Sequence, residues 1–151
     1  MISNIRELLK SIEDLMYGHN YEVCLGVDTF EGDTITDFEK QIKIKYPETH
    51  PELYPLKPTD RLEFWEDMRG KHNYRGDSGA GLVLTTTNEL KLESKLQEYY
   101  TFIEQFIDKQ TSFYYYNDPD GIPGYPVFWE YRFVLFTDKS KIIFIYGSSS
   151  D

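Results

Sequence analysis

A serine between small residues is the first feature of this chain that would suit catalysis. It lies in the tetrapeptide Gly76-Asp77-Ser78-Gly79, and His72 is close by in the sequence. Nucleophilic catalysis also needs a base that is oriented by a buried acid, and an oxyanion hole. No further residues are spaced for those roles, and glycine, aspartate and serine all favour turns. We therefore expect a turn at these residues rather than a protease site.

Oxygen-bearing side chains in the run Asn117 to Gly121 have the pattern that begins a calcium-binding loop. The acidic residue that should close such a loop is misplaced, because position twelve counted from Asp118 is Trp129. The three histidines are isolated from one another and from Cys24, so no transition-metal site is indicated. The sequence therefore predicts no metal, no cofactor and no catalytic residues.

One pair of carboxylates has a spacing that would suit acid–base chemistry. Glu63 and Asp67 are four residues apart, which places both on one face of a helix. A general acid and a general base on one face would serve a small hydrolase. Pairs at this spacing are usually surface charges, so a hydrolase is the least favoured function for this chain.

The overall charge of the chain is strongly negative. Lysine and arginine total 16 against 26 aspartates and glutamates, which gives a net charge of −10 over 151 residues. A field of this sign repels nucleic acids and anionic lipid surfaces and attracts basic proteins. The single cysteine and the absence of a long apolar run favour a cytoplasmic protein without a membrane span. The oligomeric state is left open.

Helical elements are indicated in three places. Apolar residues from Ile5 to Met16 recur at helical spacing, and a second apolar stripe runs through residues 88–109. Asp60 and Glu63 have the spacing of a capping box and predict a short helix that ends at Gly70. Four prolines in residues 47–58 predict a stiff surface loop before that helix.

Alternating polar and apolar residues predict the strands. They occur in residues 21–27, 34–46, 112–116, 127–137 and 141–146. We expect the second strand to be hairpinned onto the first, although Thr36 and Glu39 would also suit a capped helix there. The last two strands should form a hairpin. The sequence thus predicts one α+β domain over residues 1–151, with a mostly antiparallel sheet that helices cover on one face.

Acidic loops and aromatic residues make a basic protein the expected partner. The chain has 13 tyrosines, and tyrosine suits surfaces that are solvated when free and buried when bound. Alternation requires at least one of the three consecutive tyrosines at 114–116 to point away from the core. The residues that we expect at the binding surface are Glu48, Glu52, Glu63, Glu66, Asp67, Tyr114, Tyr115, Tyr116, Asp118, Asp120 and Tyr125.

Two stretches near the C-terminus, Phe128 to Phe133 and Ile142 to Gly147, carry a resemblance to a known group of proteins. Together with the small size, the low pI and the many tyrosines, they resemble the small immunity proteins of bacterial polymorphic toxin systems. Ile35 to Pro47 is similar to the helix-to-proline segment of the SUKH group of those proteins. That similarity implies a helix at these residues.

The resemblance implies a function as well as a fold. It implies a cytosolic, non-enzymatic protein that binds a cognate toxin domain, often a nuclease, and blocks its action. The alternative is a protein- or ligand-interaction module without a toxin partner. Negative charge would accelerate association with a basic toxin.

Overall fold

The computed structural model describes residues 2–76, 79–82 and 84–151. Within these residues the chain forms four α-helices and five β-strands. The helices are α1 (Ile2–Leu15), α2 (Ile35–Lys45), α3 (Arg61–His72) and α4 (Thr86–Glu104). The strands are β1 (Glu22–Glu31), β2 (Lys57–Thr59), β3 (Ser112–Tyr115), β4 (Trp129–Phe136) and β5 (Lys141–Ser150).

The five strands form one antiparallel sheet in the order β1-β5-β4-β3-β2. The predicted hairpin of the last two strands is confirmed, with Phe136 paired to Ile142. β1 pairs along its whole length with β5, so that Leu25 lies opposite Gly147. The first and last strands of the chain are therefore neighbours, and this long-range pairing brings residues near the two ends of the chain together.

Side chains that alternate along the central strands fill two cores. Tyr131, Phe133 and Leu135 of β4 face a large core beneath α1, α3 and α4, while Val134 and Phe136 face a smaller core beneath α2. The predicted α+β class, with an antiparallel sheet and packed helices, is confirmed. The second face is covered as well, because residues 35–45 form a helix and not a strand.

The strand predicted over residues 34–46 is wrong, and α2 occupies those residues. Thr34 begins the helix with a capping box, in which its hydroxyl accepts from the Asp37 backbone N–H while the Asp37 carboxylate accepts from the Thr34 N–H. Phe38 and Ile42 are buried one helical turn apart. The alternating pattern suggested that Ile42 and Ile44 share one face, as they would on a strand. Residues two apart on a helix lie on nearly opposite faces, and only Ile42 is buried.

Ion pairing and hydrogen bonding anchor the end of α2 to β1. The buried carboxylate of Asp28 accepts from Lys45 Nζ at 2.6 Å and from the Tyr46 hydroxyl. Burial, followed by the hydrogen bond to Asp28, raises the pKa of Tyr46 well above its usual range. Tyr46 is therefore a proton donor to Asp28 at any physiological pH.

Two substitutions distinguish the helix from a strand in solution. We expect Ile42→Ala to lower the free energy of unfolding by about 2–5 kcal/mol, since it empties space in the smaller core. Ile44→Ala should change it by less than about 0.5 kcal/mol, because Ile44 is 78% exposed. Urea unfolding of both variants is the measurement. Equal losses would contradict the helix, because a strand places both isoleucines on one face.

Side chains of α1 and α2, the helices on the two faces of the sheet, protect the outer edge of β1. Glu13 of α1 accepts the Leu25 backbone N–H at 2.7 Å. Gln41 of α2 accepts from the Glu31 N–H and donates to the Glu31 carbonyl. At the opposite edge, β2 is three residues long and contains Pro58. Side-chain hydrogen bonds at one edge and a short, proline-containing strand at the other hinder the addition of a strand from another chain.

Candidate functional site

Two recessed regions of the surface contain four of the residues that were expected at the binding surface, namely Asp67, Tyr115 and Tyr116 in one and Tyr125 in the other. The first, the α3–β4 cleft, has a volume of about 270 Å³. It is lined by Asp67, Lys71, Tyr115, Tyr116, Asn117, Glu130, Tyr131 and Arg132. β3 ends at Tyr115, which pairs with Phe133 of β4. Residues 129–132 of β4 therefore extend beyond the end of β3. The cleft therefore lies where the two strands part.

Of the predicted carboxylate pair, Asp67 lines this cleft, and Glu63 contacts Tyr115, which lines it as well. Glu63 accepts the Tyr115 hydroxyl at 2.7 Å, and Asp67 pairs with Lys71 at 2.9 Å. Burial, followed by the hydrogen bond to Glu63, raises the pKa of Tyr115 to about 12. Lys71 also donates to the Glu130 carbonyl at 2.6 Å. Glu63 thus joins α3 to the sheet, whereas Asp67 is engaged by Lys71 within α3.

A buried histidine supports the floor of the cleft. The ring nitrogens of His72 lie 2.7 Å from the hydroxyls of Tyr100 and Tyr131. His72 is fully buried, and burial lowers its pKa to about 3. The histidine is therefore neutral, with one nitrogen donating and the other accepting. Its role is to fix two tyrosines of the large core.

Tyr116 and Asp118 were predicted at a binding surface, and the structure buries both. The Tyr116 hydroxyl donates to Asp118 at 2.7 Å, and the same carboxylate accepts the backbone N–H groups of His50 and Asp120. Burial and that hydrogen bond raise the pKa of Tyr116 well above its usual range. Asp118 therefore joins the loop after α2 to the loop after β3, which is a structural role.

The other predicted acids of these two loops are exposed. Glu48 and Asp120 flank the contact between the loops, where Gly121 packs against the backbone of Thr49. Glu52 lies 3.7 Å from His50. Glu66 is exposed on α3. These carboxylates add to the negative field, and Glu52 also lines a recess beside α2.

None of the three consecutive tyrosines is fully exposed. Tyr114 and Tyr115 are half-buried on opposite faces of β3. The ring of Tyr114 packs on Phe136 at 5.5 Å between centroids, and that of Tyr115 packs on Phe133 at 5.0 Å. Tyr114 and Tyr115 contribute to packing, and Tyr115 also lines the α3–β4 cleft, as Tyr116 does.

Tyr125 is the predicted aromatic residue that the structure leaves open to solvent, with 73% of its surface exposed. It stands beside a second tyrosine, Tyr17, which is 59% exposed. Both line a recess of about 460 Å³ that we call the α1–β1 cleft. The remaining lining residues are Lys10, Glu13, Asp14, Glu22, Val23, Cys24, Gly124, Ser148 and Ser150.

Close backbone approaches fix the glycines next to both tyrosines. Tyr17 precedes Gly18, which exchanges backbone hydrogen bonds with Tyr21 in a tight turn. A Cβ at Gly18 would lie 2.5 Å from the Ala80 carbonyl oxygen. Gly124 has a φ of +103°, and a Cβ there would lie 2.2 Å from Ser148 Oγ. Glycine at these two positions therefore permits the geometry of the cleft.

The α1–β1 cleft has a negative charge. Glu13, Asp14 and Glu22 supply carboxylates against the amine of Lys10, which pairs with Asp14 at 2.9 Å. Partial burial raises the pKa of Glu13 despite the hydrogen bond from the Leu25 N–H. Burial also raises the pKa of the Cys24 thiol, which does not favour a nucleophilic role. Exposed aromatic rings beside carboxylates suit a cationic side chain.

Tyr17 and its neighbouring acids were not predicted from the sequence. Glu13 and Asp14 belong to the polar face of the first helix, and Tyr17 follows that helix directly. The local signal is a tyrosine after two acids at a helix end. The pairing of β1 with β5 brings Tyr17 and Tyr125 to the same cleft, and no local sequence pattern reveals that pairing.

The serine of the tetrapeptide at 76–79 lies outside the described residues, as does the preceding aspartate. In the described part of the chain, no group of three histidine, cysteine or carboxylate residues has a geometry that would hold a metal ion. No helix of that part is long and apolar enough to cross a membrane.

Comparison with known proteins gives a structural similarity alone. No family model and no curated protein matches the chain. Two crystal structures of citrus MAF1, in different space groups, each cover 95% of this chain and 98% of their own. The TM-scores are 0.57 at 10% identity and 0.49 at 14% identity. The first similarity shows that this chain and citrus MAF1 share a fold over nearly their whole length.

Proposed function

We propose that this protein is a non-enzymatic, cytoplasmic immunity protein that binds a basic toxin domain and neutralises it. The observation that carries the proposal is the α1–β1 cleft, in which the exposed Tyr17 and Tyr125 lie among three carboxylates. The net charge of −10 supports a basic partner. The resemblance of the C-terminal stretches to polymorphic-toxin immunity proteins supplies the toxin as the class of partner.

The tyrosines and carboxylates of the α1–β1 cleft have the properties that such an interface requires. Tyrosine, tryptophan and arginine dominate the energetics of protein interfaces, and rigid aromatic rings lose little entropy on binding. An arginine or lysine of the partner would stack on a tyrosine ring and pair with Glu22 or Asp14. The long-range negative field would accelerate association by steering the basic partner towards the protein.

The alternatives remain an interaction module without a toxin partner and a small hydrolase. The hydrolase would use Glu63 and Asp67, but both carboxylates are engaged, by Tyr115 and Lys71 respectively. A loss of any measured hydrolytic activity in Glu63→Gln would favour it. An interaction module would bind a protein that has no toxic effect on the cell.

Affinity capture from a lysate of the host tests the proposal. We expect the tagged protein to retain one basic protein in equimolar amount at low salt, and less of it at moderate salt, because screening weakens the attraction. Mass spectrometry identifies what is retained. An eluate with no enriched protein at either salt concentration, although the candidate toxins are expressed, would contradict the proposal.

A further inference from the structure

We propose that the α3–β4 cleft binds a small zwitterion of amino-acid size, with Arg132 holding its carboxylate and Glu130 its ammonium group. This site is separate from the α1–β1 cleft, and the inference does not depend on toxin binding. It rests on one buried arginine, on the charges around it and on the size of the cleft.

The guanidinium of Arg132 lines the cleft although its side chain is only 7% exposed. It forms an ion pair with Glu130, at 3.4 Å. That distance exceeds the roughly 2.7–2.9 Å of a charge-assisted hydrogen bond. Within the residues that the structure describes, the Arg132 side chain donates no hydrogen bond. None of the Arg132 nitrogens is a buried atom without a partner, so the unused donors are open to solvent at the cleft and a ligand carboxylate can reach them.

The strand fixes the position of this arginine. Its backbone pairs with Tyr146 of β5, and its carbonyl accepts the Tyr116 N–H at 3.0 Å. The guanidinium therefore projects from the sheet and not from a mobile loop. A planar fork of donors held in this way suits the two oxygens of a carboxylate.

The surrounding charges favour a zwitterion over a simple anion as the ligand, because Lys71 and Arg132 are balanced by Asp67 and Glu130. Glu130 and Asp67 line the same cleft, and the whole protein is negative. Asp67 is already paired with Lys71 at 2.9 Å, whereas the Glu130 side chain is half-exposed. A ligand that brings its own ammonium group would pair with Glu130 while its carboxylate occupies Arg132. Both charges of such a ligand are then compensated.

The dimensions of the cleft limit the size of the ligand. A volume of about 270 Å³ lies just below the range of about 300–1,000 Å³ for drug-sized ligands. The half-buried ring of Tyr115 provides apolar wall area for the remainder of the molecule, whereas Tyr131 is only 3% exposed and adds little. An α-amino acid has the required charges, their short separation and the required bulk.

Titration calorimetry with each of the common α-amino acids tests the site. We expect at least one amino acid to bind the wild-type protein. The deaminated acid and the decarboxylated amine derived from it should each bind at least about tenfold more weakly, because each leaves a charge in the cleft without a partner. Absence of binding by every amino acid would overturn the proposal, and so would equal binding of the deaminated acid.

Variants connect binding to the two named residues. We expect Glu130→Gln and Arg132→Gln each to weaken binding by about tenfold or more. Glu130 is half-exposed, so its variant should fold normally even if the Arg132 variant does not. Glu93→Gln on the exposed face of α4 is the matched control and should bind as the wild type does. Unchanged affinity in Glu130→Gln would overturn the assignment.

Discussion

Replacing Tyr17 and Tyr125 together with alanine is expected to weaken binding of the basic partner by about 100-fold or more. Aromatic residues at the centre of an interface commonly contribute about 2 kcal/mol or more each, and such contributions are not strictly additive. Both side chains are mostly exposed, so the variant should unfold at the same urea concentration as the wild type. Surface plasmon resonance with the captured protein gives the affinity.

A matched variant separates the cleft from general surface effects. Leu90→Ala removes an exposed apolar side chain from α4, which takes no part in the α1–β1 cleft. We expect its affinity to equal that of the wild type. If the double tyrosine variant also binds as the wild type does, the α1–β1 cleft is not the binding surface, even where a basic partner has been captured.

Acid is expected to destabilise the protein through His72, by about 2 kcal/mol between pH 7 and pH 5. Burial lowers the pKa of this histidine from the ordinary value of 6.5 to about 3. Below pH 6.5, His72 is therefore protonated in the unfolded chain but remains neutral in the folded chain. Stability attributable to His72 is complete above about pH 7 and falls progressively as the pH drops towards 3.

Urea unfolding at pH 7 and pH 5 measures this effect against two variants. His72→Phe removes the titrating group and should lose about 2 kcal/mol less than the wild type over this pH interval. It should also be less stable at pH 7 by about 1–3 kcal/mol, because the hydroxyls of Tyr100 and Tyr131 lose their partner. His19→Phe, at an exposed position, should retain the wild-type pH dependence. The same pH dependence in wild type and His72→Phe would contradict a neutral buried histidine.

Elements with a strong local pattern were predictable from the sequence. The apolar stripe of α1, the Asp60 cap of α3 and the hairpin of β4 with β5 all appear where the periodicity and the turn residues predict them. α2 was not, because its run of alternating isoleucine and lysine fits a strand as well as it fits an amphipathic helix. The capping interaction of Thr34 with Asp37 decides between the two, and it depends on side-chain geometry that spacing alone does not reveal.

The candidate site was predictable only in part. Tyr125 follows a proline- and glycine-rich loop and was correctly expected at the surface, but Asp118 in the same loop is buried by contact with a segment almost seventy residues away. Arg132 lies in an apolar strand and was not singled out as a functional residue. Its burial, and the joining of Tyr17 to Tyr125, arise from strand pairings that bring distant parts of the chain together.

A growth assay tests toxin neutralisation most directly. The captured basic protein would be expressed in cells that lack this chain, in cells that contain it and in cells that contain the Tyr17 and Tyr125 double variant. Neutralisation of a toxin predicts growth arrest in the first, normal growth in the second and arrest in the third. Arrest in the presence of the wild-type chain, or normal growth without it, would contradict a role in immunity.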